Sequence, residues 1–169
     1  MTTITAVLGD IASQRADAVV NAASPEMRGG GGVDGAIHRA GGPAILTECV
    51  ERFPDGLPAG DAGWTTAGEM RARWVIHTVG PNRHAGQTDR GLLTSCYRRS
   101  LEVADELGAH SVAFPLISAG AYGWPLDDAI AAAVDTLGSA ETRAGDIRIV
   151  ARDATVWRKV RAEIEAARP

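Results

Sequence analysis

Four consecutive glycines, Gly29, Gly30, Gly31 and Gly32, stand directly before Val33, Asp34, Gly35, Ala36, Ile37 and His38. Each glycine costs conformational entropy on folding, so a run is kept where the backbone must take positive φ or approach another group closely. A helical pattern opens immediately after it. Backbone N–H groups at a helix start, aided by the helix dipole, form an anion site. A diphosphate fits there without any basic residue. The run is not a P-loop, because no Gly-Lys-Ser/Thr follows, and not a dinucleotide fingerprint, because it does not directly follow the first strand. A flexible loop or tight turn is the simpler alternative. Asp34 falls in the first helical turn, where the dipole alone favours a carboxylate. Beside a diphosphate sugar it would hydrogen-bond ribose hydroxyls or orient a water. His38 lies four residues on and shares that face, a spacing that equally suits packing.

A second small-residue loop, Ser118, Ala119, Gly120, Ala121, Tyr122 and Gly123, follows the apolar run 112–117 and precedes a helix opened by Pro125. It again offers a strand end, small residues and a helix N-terminus, so two phosphates would be clasped between the two loops. Tyr122 and Trp124 read either as core anchors or as a flat wall against a ribose or base. Tyr122 is the better wall, since glycines flank it.

The elements that must position these residues follow from periodicity. Strands are expected at 4–8, 17–21, 64–67, 74–79, 111–117 and 147–151, and helices at 33–40, 43–53, 88–107, 125–137 and 155–167. Residues 53–63, rich in Pro, Gly and Asp, read as loop. Strands alternating with helices predict an α/β layered domain, its largely parallel sheet covered on both faces. Ligands in such sheets sit beyond the carboxyl ends of strands. Gly9-Asp10-Ile11, Asn21 with the glycine run, and the 118–123 loop all fall at such ends.

Bulk properties narrow the classes. A chain of 169 residues, 45% hydrophobic, suits one compact domain over residues 1–169. A net charge of −4 disfavours nucleic acid as a partner. No stretch approaches the roughly 20 apolar residues of a membrane span, and the N-terminus lacks a basic region followed by an apolar run. A cytoplasmic enzyme is the default expectation. Cys49 and Cys96 fit no zinc spacing and read as small buried hydrophobes.

Taken in order, Leu8-Gly9-Asp10-Ile11, Val19-Val20-Asn21-Ala22-Ala23, the 29–41 segment, Trp74 through Pro81 and Pro115 through Pro125 closely resemble a macrodomain of the MacroD type. The resemblance covers nearly the whole chain. It implies a three-layer α/β/α fold around a mixed, mostly parallel sheet, and ADP-ribose as ligand. It also implies hydrolysis of the ester joining mono-ADP-ribose to Asp or Glu side chains of proteins, and deacetylation of O-acetyl-ADP-ribose. Asp10 would accept the adenine amino group, supported by the Ile11 backbone. Asn21 would hydrogen-bond the distal ribose. Gly30, Gly31, Gly32 and Val33 would clasp the diphosphate with Ser118, Ala119, Gly120 and Ala121. Asp34 would hold the distal ribose and position the attacking water, aided by the substrate's phosphate, and Tyr122 would wall that ribose. No metal or cofactor enters that scheme. Mono-ADP-ribosylated proteins are the implied partners, and a monomer is the default.

Two positions depart from the family pattern. Ser24 stands where a second Asn is usual; its hydroxyl still donates and accepts. At the end of the last strand, where many relatives carry an aromatic against adenine, Arg152 offers a planar guanidinium or is simply a surface residue. The alternatives to a hydrolase are a reader that binds ADP-ribose without turnover, for which Ser24 is the best argument, and a phosphatase acting on ADP-ribose 1″-phosphate.

Overall fold

The computed structural model describes residues 1–168. Six strands, β1 (Thr3–Leu8), β2 (Ala16–Ala22), β3 (Ala62–Thr66), β4 (Ala72–Thr78), β5 (Ser111–Phe114) and β6 (Asp146–Ala151), form one sheet. Its order is β1-β6-β5-β2-β4-β3, and every neighbouring pair is parallel except β3 with β4. The helices are α1 (Gly32–Gly41), α2 (Pro43–Arg52), α3 (Arg90–Leu107), α4 (Leu126–Ser139) and α5 (Ala154–Ala167). Among the described residues, no helix is long and apolar enough to cross a membrane.

Side chains alternate across a strand, and that period builds two cores. Ala18 and Val20 of β2, Ile76 of β4 and Ile147 of β6 join one core with Leu93, Tyr97 and Leu101 of α3, Ala133 of α4 and Val160 of α5. Val19, Val75 and Val150 face the opposite core, with Ile37 of α1 and Ile45 and Cys49 of α2. The sheet is therefore the middle layer of three. Both cysteines are free and buried. On the α1/α2 face, continued alternation brings Asn21 of β2 and His77 of β4 side by side as register partners.

The differences from the expected elements have local causes. β5 ends at Phe114 rather than at residue 117, because Pro115 has no N–H to offer a ladder. The Ile117 N–H donates instead to the Tyr97 hydroxyl at 3.0 Å. β3 begins at Ala62, within the segment expected to be loop, because it is paired antiparallel with β4. α3 begins at Arg90 rather than residue 88, since the Asp89 carboxylate accepts from the Gly91 N–H and caps it. Two short 3-10 turns, Ile11–Ser13 and Arg83–Ala85, carried no periodic signal.

Candidate functional site

The carboxyl ends of β2, β4 and β5 open into a cavity of about 460 Å³. Ser24, Gly30, Gly31, Gly32, Val33, Asp34, Ser118, Gly120, Ala121 and Tyr122 line it together. Both glycine loops thus face one space. A wider, shallower hollow of about 500 Å³ lies at the opposite, amino ends of β2 and β4, beside Arg15 and Arg71, and gathers none of these residues.

The first loop combines bent backbone and open space. Gly29 and Gly32 have φ of +87° and +57°, which a side chain would strain. Gly31 caps α1 at φ −97°, with no side-chain cap hydrogen bond at that end, so the first-turn N–H groups are presented to the cavity. A Cβ on Gly31 or Gly120 would meet no protein atom within 4 Å. Neither backbone is left-handed. Protein packing and strain therefore leave these two glycines unexplained, whereas close approach of a ligand explains both. Arg28 fastens the loop from outside: its guanidinium donates to Cys49 O at 3.4 Å and Phe53 O at 3.0 Å, at the end of α2.

The second loop is fastened from within. Ser118 is buried at φ +65°. Its hydroxyl donates to Pro81 O at 2.9 Å, and its carbonyl accepts from the Trp124 N–H at 2.9 Å. Trp124 is buried and its indole N–H donates to Asp128 at 2.9 Å. It is a core anchor, while Tyr122 lines the cavity. The Tyr122 carbonyl accepts from the Arg83 N–H at 2.9 Å.

Asp34 lines the cavity, and Asn21 meets it from behind, outside the lining. Asn21 is fully buried, and its Nδ2 donates to Asp34 Oδ1 at 2.8 Å. His38 Nε2 lies 3.3 Å from the same oxygen. Burial alone would raise the pKa of Asp34. Hydrogen bonds from His38 and Asn21, with the electrostatic influence of His38, bring it below the ordinary carboxylate value. Asp34 is thus an anion at neutral pH, fit to hold a hydroxyl or a water rather than to donate a proton. Among the described residues, no group of three or more His, Cys, Asp or Glu side chains is placed to hold a metal ion.

Of the expected residues, Asp10, Ile11, Asn21, Ala119 and Arg152 lie apart from the cavity lining. Asp10 caps the Ile11–Ser13 turn, its Oδ1 accepting from Ala12 N–H at 2.9 Å. α1 packs against that turn, and Ile11 is buried. Arg152 is exposed, one residue beyond the register pair Leu8 and Ala151, so it flanks the Gly9-Asp10 corner. Ala119 packs against the α3/α4 core rather than facing the cavity. The Ser24 hydroxyl donates to Gly29 O at 3.3 Å. Sequence reasoning missed Gly80, which also lines the cavity and whose Cβ would collide with the Ser118 hydroxyl. It also gave His77 no role. The alternation of β4, with Val75 and His77 on one face, was the available signal.

The Macro domain family model matches residues 20–133. The chain is 57% identical over 161 residues to a macro domain-containing protein of Streptomyces coelicolor, covering 93% of this chain and 95% of that one. It is 46% identical to a protein of Pantoea vagans named O-acetyl-ADP-ribose deacetylase 1, covering 81% of this chain and 82% of the other. The fold superposes on the macrodomain of Oceanobacillus iheyensis with ADP at a TM-score of 0.92 and 34% identity, covering 98% and 91% of the two chains. It also superposes on a Trypanosoma brucei macrodomain in complex with ADP-ribose at a TM-score of 0.85 and 33% identity, covering 94% and 68%.

Proposed function

The chain belongs to the macro domain family, and on that premise we propose that it is a single-domain ADP-ribose-binding hydrolase that removes mono-ADP-ribose from Asp and Glu side chains and deacetylates O-acetyl-ADP-ribose. The observation that carries this reading is an ionised Asp34 that lines a cavity between two glycine loops and is held from behind by the buried Asn21 at 2.8 Å. A passive diphosphate binder needs the loops but not this pair.

In this reading the diphosphate lies between residues 30–33 and 118–121, held by backbone N–H groups and the start of α1. That suits a protein whose net charge is −4. Asp34, held by Asn21, contacts the distal ribose and orients a water, and Tyr122 walls that ribose, with no metal or cofactor. Water adds across the ester, and the protein's carboxylate and free ADP-ribose leave. The rate comes from a fixed ribose and an oriented water rather than from a protein nucleophile. The adenine lies toward Asp10 and Ile11, with Arg152 at its edge.

The test is release of ADP-ribose from a protein mono-ADP-ribosylated on Asp or Glu, with ADP-ribose binding measured by calorimetry on the same sample. Binding with turnover supports the hydrolase. The second reading, a reader without turnover, is favoured by one observation: the Ser24 hydroxyl is directed to Gly29 O. Binding without turnover in the wild type, and turnover gained by Ser24→Asn, would establish it.

A further inference from the structure

Beneath the cavity floor, three neighbouring strands place three polar side chains on one face. Asn21 comes from β2, His77 from β4 and Thr65 from β3, and all are buried. Asn21 Nδ2 lies 3.0 Å from His77 Nδ1, in addition to its contact with Asp34. His77 Nε2 lies 2.9 Å from Thr65 Oγ1, and Thr65 Oγ1 lies 2.9 Å from Thr66 O.

The direction of every hydrogen bond in this chain follows from its ends. An ionised carboxylate accepts only, so the Asn21 amide must turn Nδ2 toward Asp34. The second Nδ2 hydrogen then points to His77 Nδ1, which must carry a lone pair. Thr66 O also accepts only, so the single Thr65 hydroxyl proton goes to it, and Thr65 Oγ1 is left to accept from His77 Nε2–H. The ring is therefore neutral and protonated on Nε2. Burial foremost, then the charge of His38, push its pKa down to about 3 against the opposing pull of Asp34, which keeps it neutral. Cys49 Sγ lies 3.9 Å from Nε2; burial pushes its thiol up to about 11, so it brings no charge. One atom of the network has no partner: the buried Asn21 Oδ1.

We propose that His77 and Thr65 are positioning residues: Thr65 selects the His77 tautomer, and that tautomer locks the Asn21 amide with Nδ2 on Asp34, which fixes the carboxylate that lines the cavity. This rests on the reading of the cavity as an ADP-ribosyl hydrolase site. The arrangement resembles other second-layer contacts that fix which imidazole nitrogen carries the proton. Were Nδ1 protonated instead, it would demand the Asn21 oxygen, and the amide would turn away from Asp34.

The experiment uses the full chain with Thr65→Val, which keeps the branched shape but removes the acceptor, and Thr65→Ser, which restores it. Long-range ¹H–¹⁵N correlation of the ring nitrogens should show His77 on the Nε2–H tautomer in the wild type and in Thr65→Ser. In Thr65→Val the Nδ1–H form should appear. ADP-ribose affinity and kcat should each fall about tenfold in Thr65→Val, the worth of one buried hydrogen bond, and return in Thr65→Ser. An Nδ1–H tautomer in the wild type would overturn the proposal, as would Thr65→Val with wild-type affinity and kcat. If the wild type binds ADP-ribose but turns nothing over, the hydrolase reading fails by itself. The tautomer and the affinity still decide the role of Thr65 and His77.

Discussion

The two loops over the cavity have similar composition and are held by different physics. Residues 118–123 are tied mainly to buried groups: the Ser118 hydroxyl on Pro81 O, the Tyr97 hydroxyl under Ile117, and the buried Trp124, whose indole N–H reaches the half-exposed Asp128. The 29–32 run is tied mainly at its edge, by the exposed Arg28 guanidinium on the last carbonyls of α2. Buried hydrogen bonds are expensive to leave unmade, whereas surface ones exchange readily with water. The second loop is thus a rigid wall. The first is the loop whose conformation a ligand can complete. The titratable groups also divide unequally: Asp34, His38 and His77 all lie under the first loop.

The sharpest way to break this comparison is to cut the deepest fastening of the second loop. Trp124→Ala removes a buried aromatic and should destabilise the protein by about 3–5 kcal/mol, read from denaturant unfolding. A loss below 1 kcal/mol would mean that the loop is not anchored there. Acid should act on the other side of the cavity. The pKa of His77 is lowered from 6.5 to about 3 in the fold, so below pH 6.5 the unfolded chain takes up a proton that the folded one refuses. Its stabilising effect is complete above pH 6.5 and is lost as pH falls toward 3, by roughly 2 kcal/mol between pH 6.5 and 5 for one proton. Asp34, lowered from 3.8, adds a loss that begins only below that value. His77→Asn should flatten the slope between pH 6.5 and 5, and an unchanged slope would assign the proton elsewhere.

Tyr97→Phe is a smaller cut. It leaves the buried Ile117 N–H unpaired and should cost about 1–3 kcal/mol, with Tm as the readout. Arg28→Ala should be the mildest in stability, within about 1 kcal/mol for an exposed group. Its effect should appear in binding, as a several-fold weaker affinity for ADP-ribose by calorimetry. If Arg28→Ala destabilised the protein as much as Tyr97→Phe, the two loops would not differ as described.

The features legible in the sequence were those set by local chemistry. The glycine run before a helix, the Ser118 loop after an apolar strand and Asp34 in a first turn can each be read within ten residues. The alternation of strands with helices along the chain likewise marks the sheet as the middle layer. What escaped depends on contacts between distant segments. Pro115 ends β5 locally, but the acceptor for the freed Ile117 N–H, the Tyr97 hydroxyl, lies on another element. The network of Asn21, His77 and Thr65 exists only because β2, β4 and β3 pair in one register. Nothing in the local sequence marks Arg28, because its acceptors lie at the end of α2. Ala119 was counted with its loop, but its side chain turns into the core.

The central claim is that Asp34 and Asn21 make this cavity a place of reaction. Its most direct test is release of ADP-ribose from a protein modified on Asp or Glu, run with wild type and Asp34→Ala in parallel and with ADP-ribose affinity measured on both. The wild type should turn over, and Asp34→Ala should lose about a hundredfold or more with weakened but measurable binding. Turnover by Asp34→Ala at the wild-type rate would contradict it.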